Sequence, residues 1–556
     1  MRSTAVLIVG AGPTGLTLAL ELSLQKIPFI LIEPLFTQSP NSRALVLHTR
    51  SMELFSRHSS LVSNLLPLCK QNLGLSFHIN KKHAFEMDLS RENMGVLDTE
   101  YSGPYFLSQS ETESCLEKQL EEYGGRVERG TKAMSIVQDH SGVTVRVKQI
   151  RQDGYEESDE EEIRCQYIVG CDGAHSMVRK SADLKFEGSA YQSDFLLADV
   201  KLDWEYASDR LTLLMGNEFM MCLPLKDGVY RLVLSIPNSK KEDSIYGEAK
   251  DDAPTLKQFE QAFERLAKGE VQLEDPPIWI TRFKLHHRLA DSFRNGRIFV
   301  AGDAAHIHSP AGGQGMNTGI QDAINLGWKL GAVLRNERKE SFLDSYTIER
   351  RRVGINLLKG TDRVFEFMAT TNPVYLYLRN TLFPWMAPIA FKKGENRARR
   401  YRFISQLGIR YRHSSICRTA SAYYGPRRGG DRAPDGKIVL PDTQEQTNLY
   451  SLLKGPTHHL LLFSGMGRRA MDAQELLETV GTDFPEKEQN WLTVHRIVSE
   501  EKKGGEGIYD EAGILHERYG FGSEPGYVCI RPDAYIEYIG TMNGLAEWKA
   551  SLLLRG

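Results

Sequence analysis

The chain has few cysteines, and none of them stands at the spacing of a metal site or a redox dithiol. The seven cysteines are scattered, and no two of them form a C-x-x-C pair. This pattern argues against a zinc site and against dithiol chemistry, and an odd, scattered count is typical of a reducing compartment. We therefore expect a cytoplasmic protein without a metal centre.

The chain also lacks a strong charge bias and a long uninterrupted hydrophobic run. Its formal net charge is -3, and 41% of its residues are hydrophobic. Nothing in that balance points to nucleic acid or to an acidic membrane. Residues 373–391 form the most apolar later segment, but Arg379, Asn380, Pro384 and Pro388 interrupt it. The interruption favours a packed helical pair over a membrane span.

Length and local patterns predict several domains of mixed structure. A chain of 556 residues is expected to hold roughly two to four domains. The first strand begins by Ala5, which leaves no room for a signal peptide. Residues 341–420 read as mostly helical. The acidic run at residues 156–162 is expected to be a solvated hairpin tip, because consecutive carboxylates point in different directions.

The first 33 residues carry the most informative pattern in the chain. The apolar run Val6–Val9 leads into Gly10, Gly12 and Gly15 at G-x-G-x-x-G spacing, and a helical run follows. The first glycine permits a tight turn, the second lets the backbone approach a pyrophosphate, and the third lets the helix pack on the strand. Glu33 ends the next strand, where an acid can accept hydrogen bonds from ribose hydroxyls. The pattern predicts a dinucleotide site at the helix N-terminus.

Two further strands end in an adjacent glycine and aspartate. One apolar strand ends in Asp172-Gly173, and a later one ends in Gly302-Asp303. The later strand leads through a glycine-rich loop, residues 310–317, into a long helix. Either pair alone could be a structural turn. Three such loops at the carboxyl ends of strands, however, match the way in which open α/β sheets bind ligands.

In this order and at this spacing, the three motifs resemble the signature motifs of class A flavoprotein monooxygenases, the para-hydroxybenzoate hydroxylase family. The resemblance covers about residues 1–400, and it is strongest to the branch that contains phenol hydroxylase and the aromatic polyketide hydroxylases. Gly430 to Asp435 and Arg531 to Tyr535 resemble the edges of the thioredoxin-like C-terminal domain of that branch.

The resemblance implies an α/β fold with a Rossmann-like FAD domain, an inserted β-sheet substrate domain and a C-terminal thioredoxin-like domain. The expected boundaries are residues 1–75, 107–184 and 286–365 for the FAD-binding domain, 76–106 and 185–285 for the substrate-binding sheet, 366–429 for a helical segment and linker, and 430–556 for the thioredoxin-like domain. Without a C-x-x-C pair the last domain cannot perform dithiol chemistry. A structural role or a dimer contact is expected for it.

The resemblance also implies which residues bind cofactors. The first loop and the acid after it would hold the FAD pyrophosphate and adenosine, through Gly10, Ala11, Gly12, Pro13, Thr14, Gly15 and Glu33, with Arg43 and Gln109 as further contacts. The Asp-Gly motif, Asp172 and Gly173, would serve both FAD and the nicotinamide cofactor, which His175 and Arg179 would contact. The last motif would hold the ribityl chain and the flavin ring, through Asp303, Gly313, Gly315, Met316 and Asn317.

Two residues are predicted to act near the flavin ring. Pro310 matches the family proline whose carbonyl faces flavin and substrate, although a rigid loop corner would also explain it. His48 could act as an acid or base, and a structural histidine is the alternative. The base that activates a phenol is expected from the inserted sheet, where the unranked candidates are Tyr191, Arg210, Tyr230 and Arg282.

These features predict an enzyme that hydroxylates a phenolic or polyketide-like aromatic compound. The resemblance implies that NADPH or NADH reduces FAD, and that a flavin C4a-hydroperoxide formed with dioxygen delivers the oxygen atom. The expected partners are the aromatic substrate and dioxygen, with no nucleic acid and no membrane span, and a homodimer is compatible with them. Another flavin oxidoreductase on the same scaffold, such as an oxidase, an epoxidase or an antibiotic-inactivating monooxygenase, is the alternative. A non-enzymatic flavoprotein is a third.

Overall fold

The computed structural model contains four β-sheets in the part of the chain that it describes. That part comprises residues 1–38, 44–71, 74–151, 156–206, 209–236, 254–308, 312–370, 372–392, 394–467, 470–480, 491–499 and 507–553. Its helices are α1 (Pro13–Leu24), α2 (Thr49–Phe55), α3 (Leu61–Leu65), α4 (Gln109–Glu122), α5 (Met177–Ser181), α6 (Leu256–Leu266), α7 (Gly315–Leu334), α8 (Asp344–Ala369), α9 (Pro373–Thr381), α10 (Phe383–Lys392), α11 (Gly394–Ile404), α12 (Ala473–Val480), α13 (Ile514–Tyr519) and α14 (Leu545–Leu553).

The first sheet is built around short parallel strands that are apolar on both faces. Its strands are β1 (Arg2–Val9), β2 (Phe29–Glu33), β8 (Val127–Arg129), β9 (Thr131–Gln138), β10 (Val143–Ile150), β11 (Glu156–Gly170), β18 (Arg294–Asn295) and β19 (Ile298–Val300). They follow the order β18-β19-β11-β1-β2-β8, and β10 and β9 extend from β11. Helices α1 and α7 pack together against this sheet, so its central strands are buried in one large hydrophobic core.

The register of the first sheet brings the three predicted loops to one edge. In the parallel ladder Val9 pairs with Gly170, and Gly170 pairs with Val300. The Cys171 N–H donates to the Val9 carbonyl at 2.8 Å, and the Ala301 N–H donates to the Gly170 carbonyl at 3.0 Å. The loops after β1, β11 and β19 therefore start side by side at the carboxyl ends of the strands.

The acidic run is a strand and not a hairpin tip, so that part of the sequence prediction is wrong. Residues 156–162 begin β11 and pair with β10. Glu161 accepts from Arg2 at 2.5 Å, and Glu162 accepts from Arg146 at 3.3 Å. Cationic partners on the neighbouring strands offset the repulsion between acids, which the run alone does not reveal.

The second sheet buries both of its faces. Its strands are β5 (Gly74–Ile79), β6 (Lys82–Met87), β12 (Phe186–Asp203), β13 (Arg210–Met215), β14 (Phe219–Pro224), β15 (Val229–Ile236), β16 (Gln272–Leu273), β17 (Trp279–Ala290) and β20 (His306–Ile307). The sheet packs α6 on one face and Ala387 of α10 on the other. A small third sheet is formed by β3 (Val46–Leu47), β4 (Lys70–Gln71) and β7 (Tyr105–Phe106).

The helical pair predicted for residues 373–391 is present as α9 and α10. Helix α10 packs through Phe383 and Ala387 on aromatic residues of the second sheet. In the described residues, no helix has both the length and the apolar composition that crossing a membrane would require.

The fourth sheet forms the core of a C-terminal unit, which we define as residues 430–553, and one further strand of this sheet, β21 (Arg418–Thr419), comes from the segment before the unit. The strands of the sheet are β21 (Arg418–Thr419), β22 (Lys437–Val439), β23 (Gln446–Asn448), β24 (His458–Phe463), β25 (Leu492–Val498), β26 (Ile508–Asp510), β27 (Gly526–Ile530) and β28 (Ile536–Thr541). They surround a separate hydrophobic core. The thioredoxin-like character of this unit and the domain boundaries given above remain predictions.

Buried ion pairs join the C-terminal unit to the rest of the chain. Arg432 donates two hydrogen bonds to the Glu53 carboxylate, at 2.6 and 2.9 Å. Arg531 binds both oxygens of Glu349 in α8, at 2.7 and 2.9 Å. All four side chains are buried. Because a buried charge is costly without its partner, this contact is expected to be essential to the folded chain and not an accessory.

Candidate active site

The loop after β1 has the geometry that its glycine spacing predicts. Gly10 lies at φ +103°, and a Cβ there would stand 2.5 Å from the Cys171 carbonyl oxygen. A Cβ at Gly15 would stand 1.9 Å from the Gly10 carbonyl oxygen, so both positions require glycine for close backbone packing. Around Gly12, by contrast, a Cβ would meet no heavy atom within 4 Å. The loop thus offers an open backbone face at the N-terminus of α1, which suits a pyrophosphate.

The other predicted residues of this loop support its shape. Ala11 is buried, and its N–H donates to Glu33 Oε2 at 2.8 Å. The other Glu33 oxygen accepts from the Leu35 N–H at 3.1 Å. Pro13 is the first residue of α1, and Thr14 stands where a Cβ at Gly302 would collide with it, at 2.5 Å. Glu33 therefore holds the first loop in place, and Thr14 joins that loop to the third.

Gln109 lies at the start of α4, beside a buried acid that the sequence did not single out. Gln109 Nε2 donates to Glu113 Oε1 at 2.8 Å. Burial, together with the charge of the neighbouring Glu33, raises the pKa of Glu113 to about 7, although the hydrogen bond from Gln109 acts in the opposite direction. A carboxyl group close to its pKa next to the proposed ribose acceptor can donate as well as accept a hydrogen bond.

The Asp-Gly loop contains a carboxylate oxygen that lacks a protein partner. Asp172 Oδ2 accepts from the backbone N–H groups of Met177 and Val178, at 2.7 and 3.2 Å. Asp172 Oδ1 is buried, and among the described residues nothing donates to it. Burial raises the pKa of this carboxyl group, and the hydrogen bonds from Ser176 and from the backbone only partly offset that effect. An orphaned acceptor beside the open backbone of Gly173 fits a site that a hydroxyl-bearing cofactor completes.

Arg179 is placed differently from His175, although the sequence assigns both to the nicotinamide cofactor. His175 is exposed. The Arg179 guanidinium is buried, and it donates to the carbonyls of Ala304 and Ala174, both at 2.9 Å. It also lies 3.8 Å above the Phe186 ring. Arg179 therefore joins the second loop to the third, and this geometry favours a positioning role over direct pairing with a phosphate.

The Gly-Asp loop is held from behind by a buried aspartate of α7. Asp322 Oδ2 accepts from the Gly302 N–H at 3.0 Å and contacts His306 Nε2 at 2.6 Å. Asp322 Oδ1 accepts from Arg350 at 2.6 Å. Burial alone would raise the pKa of Asp322, but Arg350 and His306 lower it below its usual range. The loop thereby turns the side chain of Asp303 to the exposed side, where ribityl hydroxyls could reach it.

The glycine-rich loop is fixed by Asn317, which has all of its side-chain bonds within the protein. Asn317 Oδ1 accepts from the His48 N–H at 2.8 Å and from the Ser51 hydroxyl at 2.7 Å. Its Nδ2 donates to the Val46 and Gly313 carbonyls, at 2.7 and 2.9 Å. What Asn317 can offer a flavin is therefore its backbone N–H in the first turn of α7. Gly315 and Met316 open the same turn.

His48 connects this loop to a pocket. His48 Nε2 lies 2.7 Å from the Gly312 carbonyl oxygen. Burial lowers the pKa of His48 to about 4, although the carbonyls of Gly312 and Gly313 act in the opposite direction. The imidazole is therefore neutral at neutral pH and donates to Gly312. Its other side lines a partly open pocket whose further walls include Met87, Leu89, Met94, Arg397, Tyr401 and Ile404.

The pocket is mainly apolar, and besides His48 its polar lining residues are Arg397, Arg400, Tyr401 and Ser405. Tyr401 is buried, and its hydroxyl contacts Thr49 Oγ1 at 2.9 Å and accepts from the Gly103 N–H at 2.8 Å. Arg397 lines the pocket, and its Nε is buried without a hydrogen-bond partner among the described residues. The cavity has a volume of about 20 Å³, which is room for roughly one water molecule. Its apolar walls and polar side chains suit an aromatic ring that carries a phenolic oxygen, and the walls must move apart to admit one.

Several predicted residues lie elsewhere or cannot be placed. Arg43 and Pro310 fall outside the described residues, and so does the side chain of Tyr191. The three remaining candidates for the phenol-activating base do not line the pocket: Arg210 pairs with Glu86 at 3.1 Å, Arg282 pairs with Asp194 at 3.0 Å, and Tyr230 packs on Trp204. A phenol-activating base from the inserted sheet stays a prediction, since the polar residues of this pocket are His48, Arg397, Arg400, Tyr401 and Ser405.

Sequence reasoning missed the residues that act across long distances in the chain. Asp322 carried one usable signal, because it and Lys329 are the two charged residues of α7. Arg350 carried none, because it stands in a run of charged residues in α8. Arg397 and Tyr401 carried none, since they reach the pocket only through the packing of α11 against residues about three hundred positions earlier.

Comparisons with known proteins agree with the geometry. A family model described as FAD binding domain matches residues 3–361. The chain is 29% identical to pentachlorophenol 4-monooxygenase of Sphingobium chlorophenolicum, over 96% of this chain and 93% of that protein. It is 30% identical to 6-methylpretetramide 4-monooxygenase of Streptomyces rimosus, over 98% of this chain and 92% of that protein. The solved structure of OxyS, an anhydrotetracycline hydroxylase of Streptomyces rimosus, aligns with a TM-score of 0.72 at 25% identity, over 99% and 98% of the two chains.

Proposed function

Since the chain belongs to the FAD binding domain family, we propose that it is a FAD-dependent monooxygenase that consumes NADPH or NADH and hydroxylates a phenolic or polyketide-like aromatic compound. Bound FAD would supply hydride acceptance and dioxygen activation, which no side chain of the protein can provide. The contribution of the chain itself is to bind the cofactor, to orient the substrate and to exclude water.

The observation that carries the proposal is the position of His48 between loop and pocket. The His48 imidazole both donates to the Gly312 carbonyl and lines the pocket proposed for the aromatic substrate. A substrate in that pocket would therefore lie against the loop proposed to hold the flavin ring. Because the pKa of His48 is about 4, its imidazole is uncharged at neutral pH while it holds the loop. A structural role for His48 is therefore favoured over acid–base catalysis.

The residues proposed to hold FAD follow the three loops. The open backbone at Gly12 and the N-terminus of α1 would receive the pyrophosphate. Glu33, with Gln109 and Glu113 beside it, would receive the ribose, and Asp303 would receive the ribityl hydroxyls. The first-turn N–H groups of α7 would face the ring, where the positive end of the helix dipole favours negative charge on reduced flavin.

The substrate class follows from the pocket and from the relatives. Names of two relatives specify pentachlorophenol and 6-methylpretetramide as what those proteins act on. Pentachlorophenol carries a phenolic oxygen, as its name states. In the pocket, Arg397 Nε would donate to such an oxygen and stabilise its ionised form, which makes the ring more electron-rich and easier to hydroxylate.

The nicotinamide cofactor would bind on the surface near the Asp-Gly loop. His175 is the exposed candidate there. Arg179 would act through the Ala304 carbonyl, so its replacement should disturb both FAD retention and reduction by NADPH. A variant at His175 should disturb reduction alone.

A screen of phenols and polyketide aromatics tests the proposal. Purified holoprotein is expected to oxidise NADPH or NADH faster in the presence of a substrate, and mass spectrometry should show a product heavier by one oxygen atom. Oxidation that is stimulated without an oxygenated product would indicate an oxidase. A complete absence of turnover with flavin bound would favour the non-enzymatic reading.

A further inference from the structure

An open cleft lies along helix α8 and shares no lining residue with the pocket beside His48. Its volume is about 550 Å³, within the range of roughly 300–1,000 Å³ that is typical of small-molecule sites. Seven of its nine lining residues come from α8, between Thr347 and Lys359, and the other two are Asp291 and His413. We call it the α8 cleft, and none of the residues assigned to FAD or to the aromatic substrate lines it.

The α8 cleft carries an excess of positive charge. Arg351, Arg352 and Lys359 line it, and within the part of the chain that the structure describes none of the three forms an ion pair. The one acid among the nine lining residues is Asp291, whose Oδ1 already accepts from two backbone N–H groups, at 2.9 and 3.1 Å. Because like charges around one cleft repel each other, this arrangement favours an anion between them.

Arg351 has its guanidinium fixed from one side. Its Nε donates to the Ala290 carbonyl at 3.1 Å, and among the described residues its two terminal nitrogens have no acceptor. A guanidinium held in this way offers its free N–H groups as a planar fork, which is the geometry that binds a phosphate through two parallel hydrogen bonds. The cleft therefore contains at least one donor that is prepared for an anion.

Thr347 adds a buried hydroxyl without a partner. The residue lines the cleft, and its Oγ1 is buried without a hydrogen-bond partner among the described residues. Because buried polar atoms are nearly always paired, such an atom indicates a partner that the chain itself does not supply. Solvation explains an exposed lysine or arginine, whereas it does not explain a hydroxyl that water does not reach.

The cleft also has an apolar part. Ile348 and Ile355 line it beside the cations, and Ile348 is 45% exposed. Inorganic phosphate would use the cations alone, whereas a nucleotide brings both phosphates and a flat base to such a surface. We propose that the α8 cleft binds a nucleotide, with its phosphate groups on Arg351, Arg352 and Lys359 and its base against the isoleucines.

The proposed site is connected to the loops of the flavin site. Ala290, which holds Arg351, donates its N–H to the Ala305 carbonyl of the third loop at 2.8 Å. The Asp291 N–H donates at 3.0 Å to the carbonyl of Lys185, in the segment that follows α5. Two nucleotides meet these requirements: the nicotinamide dinucleotide of the proposed function, and a separate nucleotide that regulates the enzyme. The first assignment rests on the proposed function, whereas nucleotide binding in the cleft does not.

Isothermal titration calorimetry of the full holoprotein with adenosine 2′,5′-bisphosphate tests the site. The bisphosphate should bind more weakly at high salt, and adenosine without phosphates should bind at least about tenfold more weakly than the bisphosphate. The double variant Arg352→Ala/Lys359→Ala should lower the affinity for the bisphosphate by about tenfold or more, because two charged hydrogen bonds are lost. Both side chains are exposed, so this variant should keep its flavin and its melting temperature.

The double variant Arg126→Ala/Lys257→Ala is the matched control, since it removes the same charge from exposed positions outside the cleft. It should bind the bisphosphate as the wild type does. The proposal is wrong if the wild type does not bind the bisphosphate, or if the cleft variant binds it as tightly as the wild type. It is equally wrong if both double variants weaken binding to the same extent.

Stopped-flow reduction of FAD by NADPH distinguishes the two sources of the nucleotide. If the dinucleotide occupies the cleft, the Arg352→Ala/Lys359→Ala variant should require about tenfold more NADPH for half-maximal reduction, with the limiting rate unchanged. If a separate nucleotide occupies it, the NADPH dependence should match that of the wild type while binding of the bisphosphate is still lost. A protein that no nicotinamide cofactor reduces would contradict the proposed function and leave the calorimetric result unaffected.

Discussion

The chain contains a Gly-Asp pair at the proposed flavin site and another at the start of the C-terminal unit, and the two behave differently. Asp303 follows Gly302 at the end of β19 and is exposed at the edge of the sheet where the three loops meet. Asp431 follows Gly430 and is buried, and both of its oxygens accept from Arg412, at 2.6 and 2.7 Å. The difference indicates that the proposed ligand site keeps its carboxylate accessible, whereas the interface encloses its carboxylate in an ion pair.

The same contrast extends beyond these two pairs. At the flavin loops, Asp172 Oδ1 has no donor in the described residues, and Gly12 faces open space. At the interface, Glu53 and Glu349 each use both oxygens in hydrogen bonds to arginine. Substitutions at the interface should therefore change stability, and those at the loops should change flavin binding.

The largest effect is expected at the interface. Arg432→Ala leaves the Glu53 and Asp98 carboxylates buried without this cation, and it should lower the free energy of unfolding by about 3–5 kcal/mol. Denaturant unfolding measures this loss. Arg2→Ala is the control, because Arg2 forms ion pairs while its side chain is 37% exposed, and its loss should be about 1 kcal/mol or less. If Arg432→Ala and Arg2→Ala lost the same free energy of unfolding, the special contribution assigned to the buried interface would be contradicted.

The next effect is expected at the third loop. Asp303→Ala should weaken FAD binding by about 3 kcal/mol, the upper range for a hydrogen bond to a charged group, and leave a folded apoprotein. Flavin absorbance after gel filtration and circular dichroism measure the two properties. Asp209→Ala changes another exposed aspartate, which immediately precedes β13 of the second sheet. This control variant should keep its flavin. A variant Asp303→Ala with full FAD content and full activity would contradict the assignment of the Gly-Asp loop.

A smaller loss is expected at the first loop. Glu33→Ala should weaken FAD binding by about 1.5 kcal/mol, because the carboxylate already uses one oxygen on the Ala11 N–H and the other on the Leu35 N–H. Glu33→Gln keeps an oxygen that can hold Ala11, so it separates the positioning of the loop from ribose binding. Flavin occupancy after dialysis is the measurement, and unchanged occupancy in both variants would exclude a role for Glu33.

The smallest effect is a pH dependence from His48. Burial lowers the pKa of His48 to about 4 in the folded chain, so the unfolded chain binds more protons below its normal pKa. Stability therefore falls as the pH drops from about 6.5 towards about 4, by about 1 kcal/mol between about pH 7 and about pH 5.5. His48→Gln should reduce this pH slope. The comparison uses the difference from the wild type because burial also lowers the pKa of His78, His459 and His495. If His48→Gln and the wild type showed identical slopes of stability against pH, the pKa given for His48 would be contradicted.

Features that depend on neighbouring residues could be predicted from the sequence, whereas features that depend on residues distant in the chain could not. The first loop follows from glycine spacing, since a tight turn and a close helix contact need only neighbouring residues. The helical pair in residues 373–391 also lies where the local pattern puts it. The acidic strand was misassigned because its cationic partners come from other strands. The pocket was missed because Met87 and Arg397 meet only in the folded chain.

The role of Arg179 shows a further limit of motif transfer. Its position in the sequence fits a phosphate contact, but two backbone carbonyls and the Phe186 ring surround its guanidinium. These roles are distinguished by how deeply α5 is buried beneath the third loop. A short sequence motif does not specify that burial.

The central claim is that the three loops and the His48 pocket form one oxygenating site. The most direct test is to supply isotopically labelled dioxygen to the holoprotein with NADPH and an aromatic compound that stimulates NADPH oxidation. The product should carry one labelled oxygen atom, and Asp303→Ala should lose this product together with the flavin. NADPH oxidation in which all of the labelled oxygen appears as hydrogen peroxide, with the aromatic compound unchanged, would contradict this claim.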